Sequence, residues 1–287
     1  MDWLRAAERL RRDRRPGVMV TVADVRGHAP RDPGAKMVVS LDETWGTVGG
    51  GSLEAMALER ARDMLARRCT APEHLDLRLT EGAALHGSQC CGGEVVILLE
   101  PLPVVPCVAI FGAGHVGLEL ARILGRQDLD LHLVDSRPGR LSPEVLAPLG
   151  DAVARVTLHQ ARVPESVLRQ LPNGTHVLIL THDHAEDAAL CDAALRFDHL
   201  ASIGLIGSSA KWQRFQRTLR TAGHSPASIA RIHTPVGVST LEAKDPATTA
   251  LGIAVELLHR LAEGSRAPAS PSRVSATASQ PSGRHQA

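Results

Sequence analysis

The chain has 287 residues, enough for two ordinary domains, because single hydrophobic cores rarely grow past about 250–300 residues. Its 32 basic and 31 acidic side chains nearly cancel, which removes the electrostatic case for nucleic acid or an anionic membrane as a partner. The 29 Arg against 3 Lys are scattered through an Ala-rich chain and read as codon usage rather than phosphate recognition.

No window reaches the roughly 18 uninterrupted apolar residues of a membrane span, and the opening residues lack the apolar core of a secretion signal, so a cytoplasmic protein is expected. The five cysteines, Cys69, Cys90, Cys91, Cys107 and Cys191, are an odd number without a secretion signal, so free thiols are expected. Residues 3–15 place Trp3, Leu4, Ala7 and Leu10 at helical spacing, and Pro16-Gly17 stops the pattern. "GVMVTVADV" and "AKMVVSLDE" predict strands around the loop "RGHAPRDPG". "GTVGGG" leads into "SLEAMALERARDMLARR", a predicted helix with Ser52 as N-cap, so Gly49, Gly50 and Gly51 precede a helix start whose free N–H groups favour an anion. "LDLRLT" and "GEVVILLE" add strands, making residues 1–100 a small α/β domain, and "PLPVVP" at 101–106 is expected to be a stiff linker.

"CVAIFGAGHVGLELARILGRQDLDLHLVDSR" then reads as a βαβ unit. Strand and helix alternate onward to a last helix that opens with Asp245 and Pro246, which predicts a doubly wound, mostly parallel Rossmann-like sheet over 107–263. From 264 to 287 Ser, Pro, Ala and Arg dominate without periodicity, and a disordered tail is expected.

"GAGHVG" fits GxGxxG after a strand and before a helix, with Asp135 ending the next strand. Gly112 allows the tight turn, Gly114 lets backbone approach a phosphate and Gly117 permits close helix packing; His115 lies among them. "THDHAEDAALC" puts His182, Asp183 and His184 where a strand end meets a helix, readable as a metal or proton-transfer site or, preferred, as the polar rim of a ligand crevice, with Cys191 a buried helix residue. In "GLIGSSAKW", Ser208 is the expected N-cap and Lys211 lies in the first turn, where an anion contact and an ordinary capped helix are equal alternatives. Cys90 and Cys91 stand side by side before Gly92-Gly93. Neighbouring Cα atoms lie about 3.8 Å apart, too close for an unstrained disulfide, so two open thiols suited to a soft or sulfur-bonded metal are expected.

Taken in order, "VRGHAPRDPGAKMVV", "GTVGGGSLEAMALERA", "GSQCCGGEV", "IFGAGHVG", "VDSRPGR", "THDHAEDAAL" and "IGLIGSSAKWQRF" resemble the motifs of the XdhC family, accessory proteins of xanthine dehydrogenase. The resemblance implies a non-catalytic chaperone that binds the molybdenum cofactor (molybdopterin) transiently. It also implies that the chaperone keeps the cofactor available to a cysteine desulfurase, delivers it to the apo large subunit of xanthine dehydrogenase, and forms a homodimer. Two departures stand out: Ser52 where many relatives carry cysteine, and Ala201-Ser202 where they carry an aromatic residue. The cofactor-binding candidates are therefore Gly49, Gly50, Gly51, Cys90, Cys91, Gly112, Gly114, His115, Gly117, Asp135, His182, Asp183, His184, Ser208 and Lys211, with Cys90 or Cys91 near molybdenum. The rival readings are an NAD(P)-dependent oxidoreductase using GAGHVG with His115 or His182 in proton transfer, and a thiol redox or sulfur-carrier protein.

Overall fold

A computed structural model describes residues 2–79, 93–238, 245–264 and 272–278. The chain divides into two compact units, Met1–Val104 with Ser265–Ala287 and Val105–Gly264.

The first unit is built from α1 (Trp3–Arg12), β1 (Gly17–Arg26), β2 (Lys36–Val39), β3 (Thr44–Gly46), α2 (Gly51–Ala66), β4 (Glu73–Leu79) and β5 (Glu94–Leu102). The strands form an antiparallel sheet in the order β4-β5-β1-β2-β3. Strand periodicity decides which helix each side chain meets. Val18, Val20 and Val22 of β1 and Met37 and Val39 of β2 pack with Leu53, Ala57, Ala61 and Met64 of α2. The intervening Met19 and Val38 pack with Ala6 and Leu10 of α1 and with Trp45. Each large side chain so buried contributes about 1.5–3 kcal/mol. Gly17 is needed beneath α1, since a Cβ there would lie 2.6 Å from the Leu10 side chain.

The second unit contains β6 (Cys107–Phe111), α3 (His115–Leu124), β7 (Asp130–Asp135), α4 (Pro143–Leu146), β8 (Arg155–Gln160), β9 (Thr175–Ile179), α5 (His184–Ala194), β10 (Leu200–Leu205), α6 (Ser209–Thr221), α7 (Pro226–Ile229), β11 (Ile232–His233) and α8 (Pro246–Gly264). All its strand pairs are parallel, in the order β8-β7-β6-β9-β10-β11. That is the doubly wound order, with its reversal between β6 and β9. Ala109 and Phe111 of β6 join the core under α5 and α6, while Val108 and Ile110 join the core under α3 and α8.

Several expectations need correction. α2 begins two residues early, at Gly51 with Gly50 rather than Ser52 as N-cap, because a positive φ of 75° at Gly50 turns the chain into the helix before Ser52. Pro101 and Leu102 extend β5 instead of opening a linker, since they lie in register opposite Val18 and Gly17 of β1. Of the helices expected to alternate with the strands, the one at Pro164–Gln170, "PESVLRQ", is a 3₁₀ helix. Within 264–287, expected to be disordered, Ser272–Ala278 forms β12 beside β4: β4 presents an unpaired edge, and its N–H and C=O groups recruit this strand despite its polar composition.

Candidate functional site at the carboxyl ends of the parallel strands

In an open parallel sheet the turns after the strands converge where the strand order reverses, and helix N-termini point their free N–H groups there. In the second unit these turns follow β6, β7, β9 and β10.

The turn after β6 holds the three glycines for separable reasons. Gly112 has φ +113° and a Cβ on it would lie 2.4 Å from the Leu180 carbonyl oxygen. A Cβ on Gly117 would lie 1.9 Å from the Gly112 carbonyl, so helix and strand pack backbone to backbone. Gly114 is different: nothing lies within 4 Å of its Cβ position, which leaves the N-cap of α3 open to an incoming group. His115, the first residue of α3, is exposed beside it.

Asp135 is only 2% exposed, and both of its oxygens are engaged. Oδ2 accepts the Ala113 N–H at 2.7 Å and Arg137 Nη2 at 2.8 Å; Oδ1 accepts the Arg137 N–H at 2.8 Å and its Nε at 3.0 Å. Burial pushes this carboxyl up, but the Arg137 bonds and the Ala113 amide more than offset it and hold it below the usual carboxylate range. A dinucleotide-binding unit needs that acid free to accept ribose hydroxyls. Here its four acceptor positions are filled from within, which weighs against the dehydrogenase reading. On the other side of the turn, Arg140 Nε donates to the Ala113 carbonyl at 3.1 Å and so carries its half-buried guanidinium to the glycines.

His182, Asp183 and His184 are all exposed after β9. Asp183 caps α5, its Oδ1 accepting the Ala185 N–H at 2.8 Å. Among the described residues no group of three or more His, Cys, Asp or Glu could hold a metal ion. The structural anchor of this turn is Asp187, fully buried: its Oδ1 accepts the Thr181 N–H and hydroxyl at 3.1 and 2.7 Å, and its Oδ2 meets Lys211 Nζ at 2.5 Å. Lys211 also donates to the Ile206 carbonyl at 3.0 Å and lies 5.4 Å from the Phe215 ring centre. Ser208 caps α6 by accepting the Lys211 N–H at 3.3 Å. Cys191 is buried and its thiol is pushed up to about 12, chiefly by burial and then by the Asp187 charge, which leaves it a packing residue.

The structure thus brings Gly112, Gly114, His115, Asp135, His182, Asp183, His184, Ser208 and Lys211 to one edge of the sheet. Sequence reasoning did not single out Arg137, Arg140, Ser136, Glu186 or Asp187. The acids in the first turn of α5 were the visible signal, and one of them, Glu186, accepts the Ser136 hydroxyl at 2.6 Å. A separate shallow cleft, open to solvent, lies between β9–β11 and α8, lined by Ser202, Gly204, His233, Glu256 and Arg260 among others.

In the first unit the triple glycine is arranged differently from the expected open cradle. Glu54 Oε2 accepts the N–H groups of Val48 and Gly50, each at 3.2 Å, and the Thr47 hydroxyl. Gly49 N–H donates to Thr47 Oγ1 at 3.1 Å. The Glu54 carboxylate thus takes the Gly50 amide and the Thr47 hydroxyl takes the Gly49 amide, two of the groups expected to meet a phosphate. Cys90 and Cys91 lie outside the described residues.

Comparison with known proteins agrees with this architecture. The family model described as the XdhC Rossmann domain matches residues 108–257, and that of the XdhC and CoxI family matches residues 10–76. The uncharacterized protein YqeB of Escherichia coli K12 is 27% identical over 258 residues, covering 90% of this chain and 46% of its own length. The chain therefore spans about half of that relative. The molybdenum cofactor insertion chaperone PaoD of Escherichia coli K12 is 27% identical over 270 residues, covering 84% of this chain and 82% of its own. A crystal structure described as a xanthine dehydrogenase from Bacillus halodurans aligns over 94% of this chain and 98% of its own, at 19% identity and a TM-score of 0.47. With its Rossmann unit and its first unit each matched in order, the chain belongs to the XdhC family.

Proposed function

We propose that the protein is a carrier for the molybdenum cofactor, which it binds transiently as cargo, presents to a cysteine desulfurase and passes to the apo large subunit of xanthine dehydrogenase. It acts in the cytoplasm as a homodimer and turns over no substrate. The observation that carries this reading is the likeness to PaoD along most of both chains.

The site chemistry suits such cargo. Molybdopterin carries a terminal phosphate, a polar pterin and a dithiolene-held metal, and it needs one group of residues for each. The open N-cap at Gly114, flanked by the Arg140 guanidinium, is assigned to the phosphate. Gly112 and Gly117 shape that turn, and Asp135 holds it through the Ala113 amide. The exposed His115, His182 and His184 are assigned to the hydrogen-bonding edge of the pterin. Ser208, Lys211 and Asp183 support the rim through their caps and ion pair. Glu54 takes the Gly50 amide and Thr47 the Gly49 amide, so the phosphate is assigned to the second unit. Cys90 and Cys91 are assigned to the metal end, where thiols suit a sulfur-bonded metal.

The test is co-purification. The chain, isolated from cells that make the cofactor, should release a pterin that fluoresces after oxidation. Arg140→Ala should lower the yield several-fold, and the Cys90→Ala/Cys91→Ala double variant should fail to activate apo-xanthine dehydrogenase with sulfurated cofactor. Absence of pterin from the wild-type chain, loaded in vivo or in vitro, would defeat the carrier reading.

A further inference from the structure

In a sequence with 31 acids among 287 residues, the stretch from 199 to 241 has none. It holds Lys211, Arg214, Arg217, Arg220 and Arg231, and the first four lie on α6, which has no carboxylate of its own to answer them. The helix is fastened by its other face. Phe215 and Leu219 are buried, Trp212 packs against the same core, and Lys211 is bound to Asp187. Arg214, Arg217 and Arg220 are all exposed. Each step along this row advances about 4.5 Å, and like charges one turn apart destabilise a helix.

The acids of the elements packed around α6 do not relieve this repulsion. Asp187 is taken by Lys211, Asp192 by Arg196 and His224, and Asp198 by Arg231. Among the described residues no ion pair reaches Arg214, Arg217 or Arg220, and Arg217 Nε donates instead to the Gln213 carbonyl of the same helix at 3.4 Å. Arginines elsewhere are matched, as Arg60 is with Glu73 and Arg155 with Asp130. The row on α6 is complementary to acids that the chain itself does not supply.

We propose that the exposed face of α6 bearing Arg214, Arg217 and Arg220 is the docking surface for an acidic surface of a partner protein that engages the carrier beside its cargo. α6 starts at the rim, with Ser208 as N-cap, and Arg214 follows Lys211 by about one turn, so a partner seated on the row leaves the rim open. The partner's identity rests on the carrier reading, which supplies the apo large subunit of xanthine dehydrogenase. Exposed guanidinium–carboxylate pairs speed encounter and weaken with salt, which suits a partner that must dock and leave. Three charges on a nearly neutral chain form a local patch, not the broad basic field that a nucleic-acid backbone calls for.

The test compares the full chain with its Arg214→Gln/Arg217→Gln/Arg220→Gln variant, using immobilised apo large subunit as the probe, with cysteine desulfurase and a DNA duplex as parallel probes. Arg5→Gln/Arg62→Gln/Arg169→Gln removes the same charge at exposed positions elsewhere and is the control. At low salt the α6 variant should bind the subunit about tenfold more weakly than the wild type, chiefly through slower association, and raised salt should weaken the wild type similarly. The control should bind like the wild type, and the pterin that co-purifies with the α6 variant should be unchanged. Equal binding by the α6 variant and the wild type, an equal loss in the control, or wild-type binding that ignores salt would overturn the proposal. So would weakening seen only toward the desulfurase or the DNA, which would give the row to a different occupant. Absence of pterin from the wild-type chain defeats the carrier reading instead, since binding to the subunit is read separately.

Discussion

Gly112 and Gly114 stand two residues apart in the same motif and do opposite things. At Gly112 a methyl group meets both a left-handed backbone and a carbonyl oxygen at 2.4 Å; at Gly114 it meets nothing and φ is −79°. Gly112→Ala should therefore destabilise the second unit by about 2–4 kcal/mol. Gly114→Ala should leave the denaturation midpoint almost unchanged while lowering bound pterin, because the added methyl stands where a phosphate would approach. Equal loss of stability in the two variants, read by urea unfolding, would contradict this division. The spacing of GAGHVG announced both glycines in sequence, since turn and helix start are local. The engagement of Asp135 was not legible there: its position at a strand end is set by periodicity, but its fourfold bonding depends on where Arg137 folds back.

At the scale of the element, the entry to α2 illustrates a different limit. Three glycines before a helix suggest a cradle for an external anion, yet the helix supplies its own, because Glu54 lies in the first turn and reaches back over the open amides. Capping by a carboxylate from inside the helix has the logic of a capping box, with the acid placed to accept rather than the preceding hydroxyl. Glu54→Ala should cost about 1–2 kcal/mol by leaving these donors unpaired, and Glu54→Gln should recover part of it, since the amide oxygen still accepts. Thermal unfolding of the two variants measures this; an unchanged midpoint for Glu54→Ala would show that the amides do not depend on it. β12 escaped sequence reading for a related reason. Its residues lack strand periodicity of their own, and only the bare edge of β4 gives them a partner.

For the whole molecule, His159, His176, Asp135 and Asp192 of the second unit lean the same way with pH. Burial lowers His159, and burial followed by the Arg260 charge lowers His176, so both resist protonation in the folded chain. The unfolded chain then binds more protons below the ordinary value of 6.5, and stability falls as pH drops through that value. Asp135 and Asp192 are also lowered: burial opposes ionisation, but Arg137 outweighs it at Asp135, and Arg196 with His224 at Asp192. Their contribution is present above the ordinary 3.8 and is lost as pH falls toward their folded values. Urea midpoints should therefore decline in two stages on acidification, and His176→Gln should flatten the first without altering the second. A first stage of the same slope in that variant would remove His176 from the account. The α/β alternation made the second unit readable along the chain, because each crossover is a local event. Partnerships such as Lys211 with Asp187, 24 residues apart, arise only when two crossovers land side by side.

That pairing limits how the rim can move. One ammonium group answers to the β9–α5 turn through Asp187 and to the β10–α6 turn through the Ile206 carbonyl, so a single side chain ties the two loops together. Replacing Lys211 would cut both ties at once, and each turn would then rest on its own cap, Asp183 on one side and Ser208 on the other.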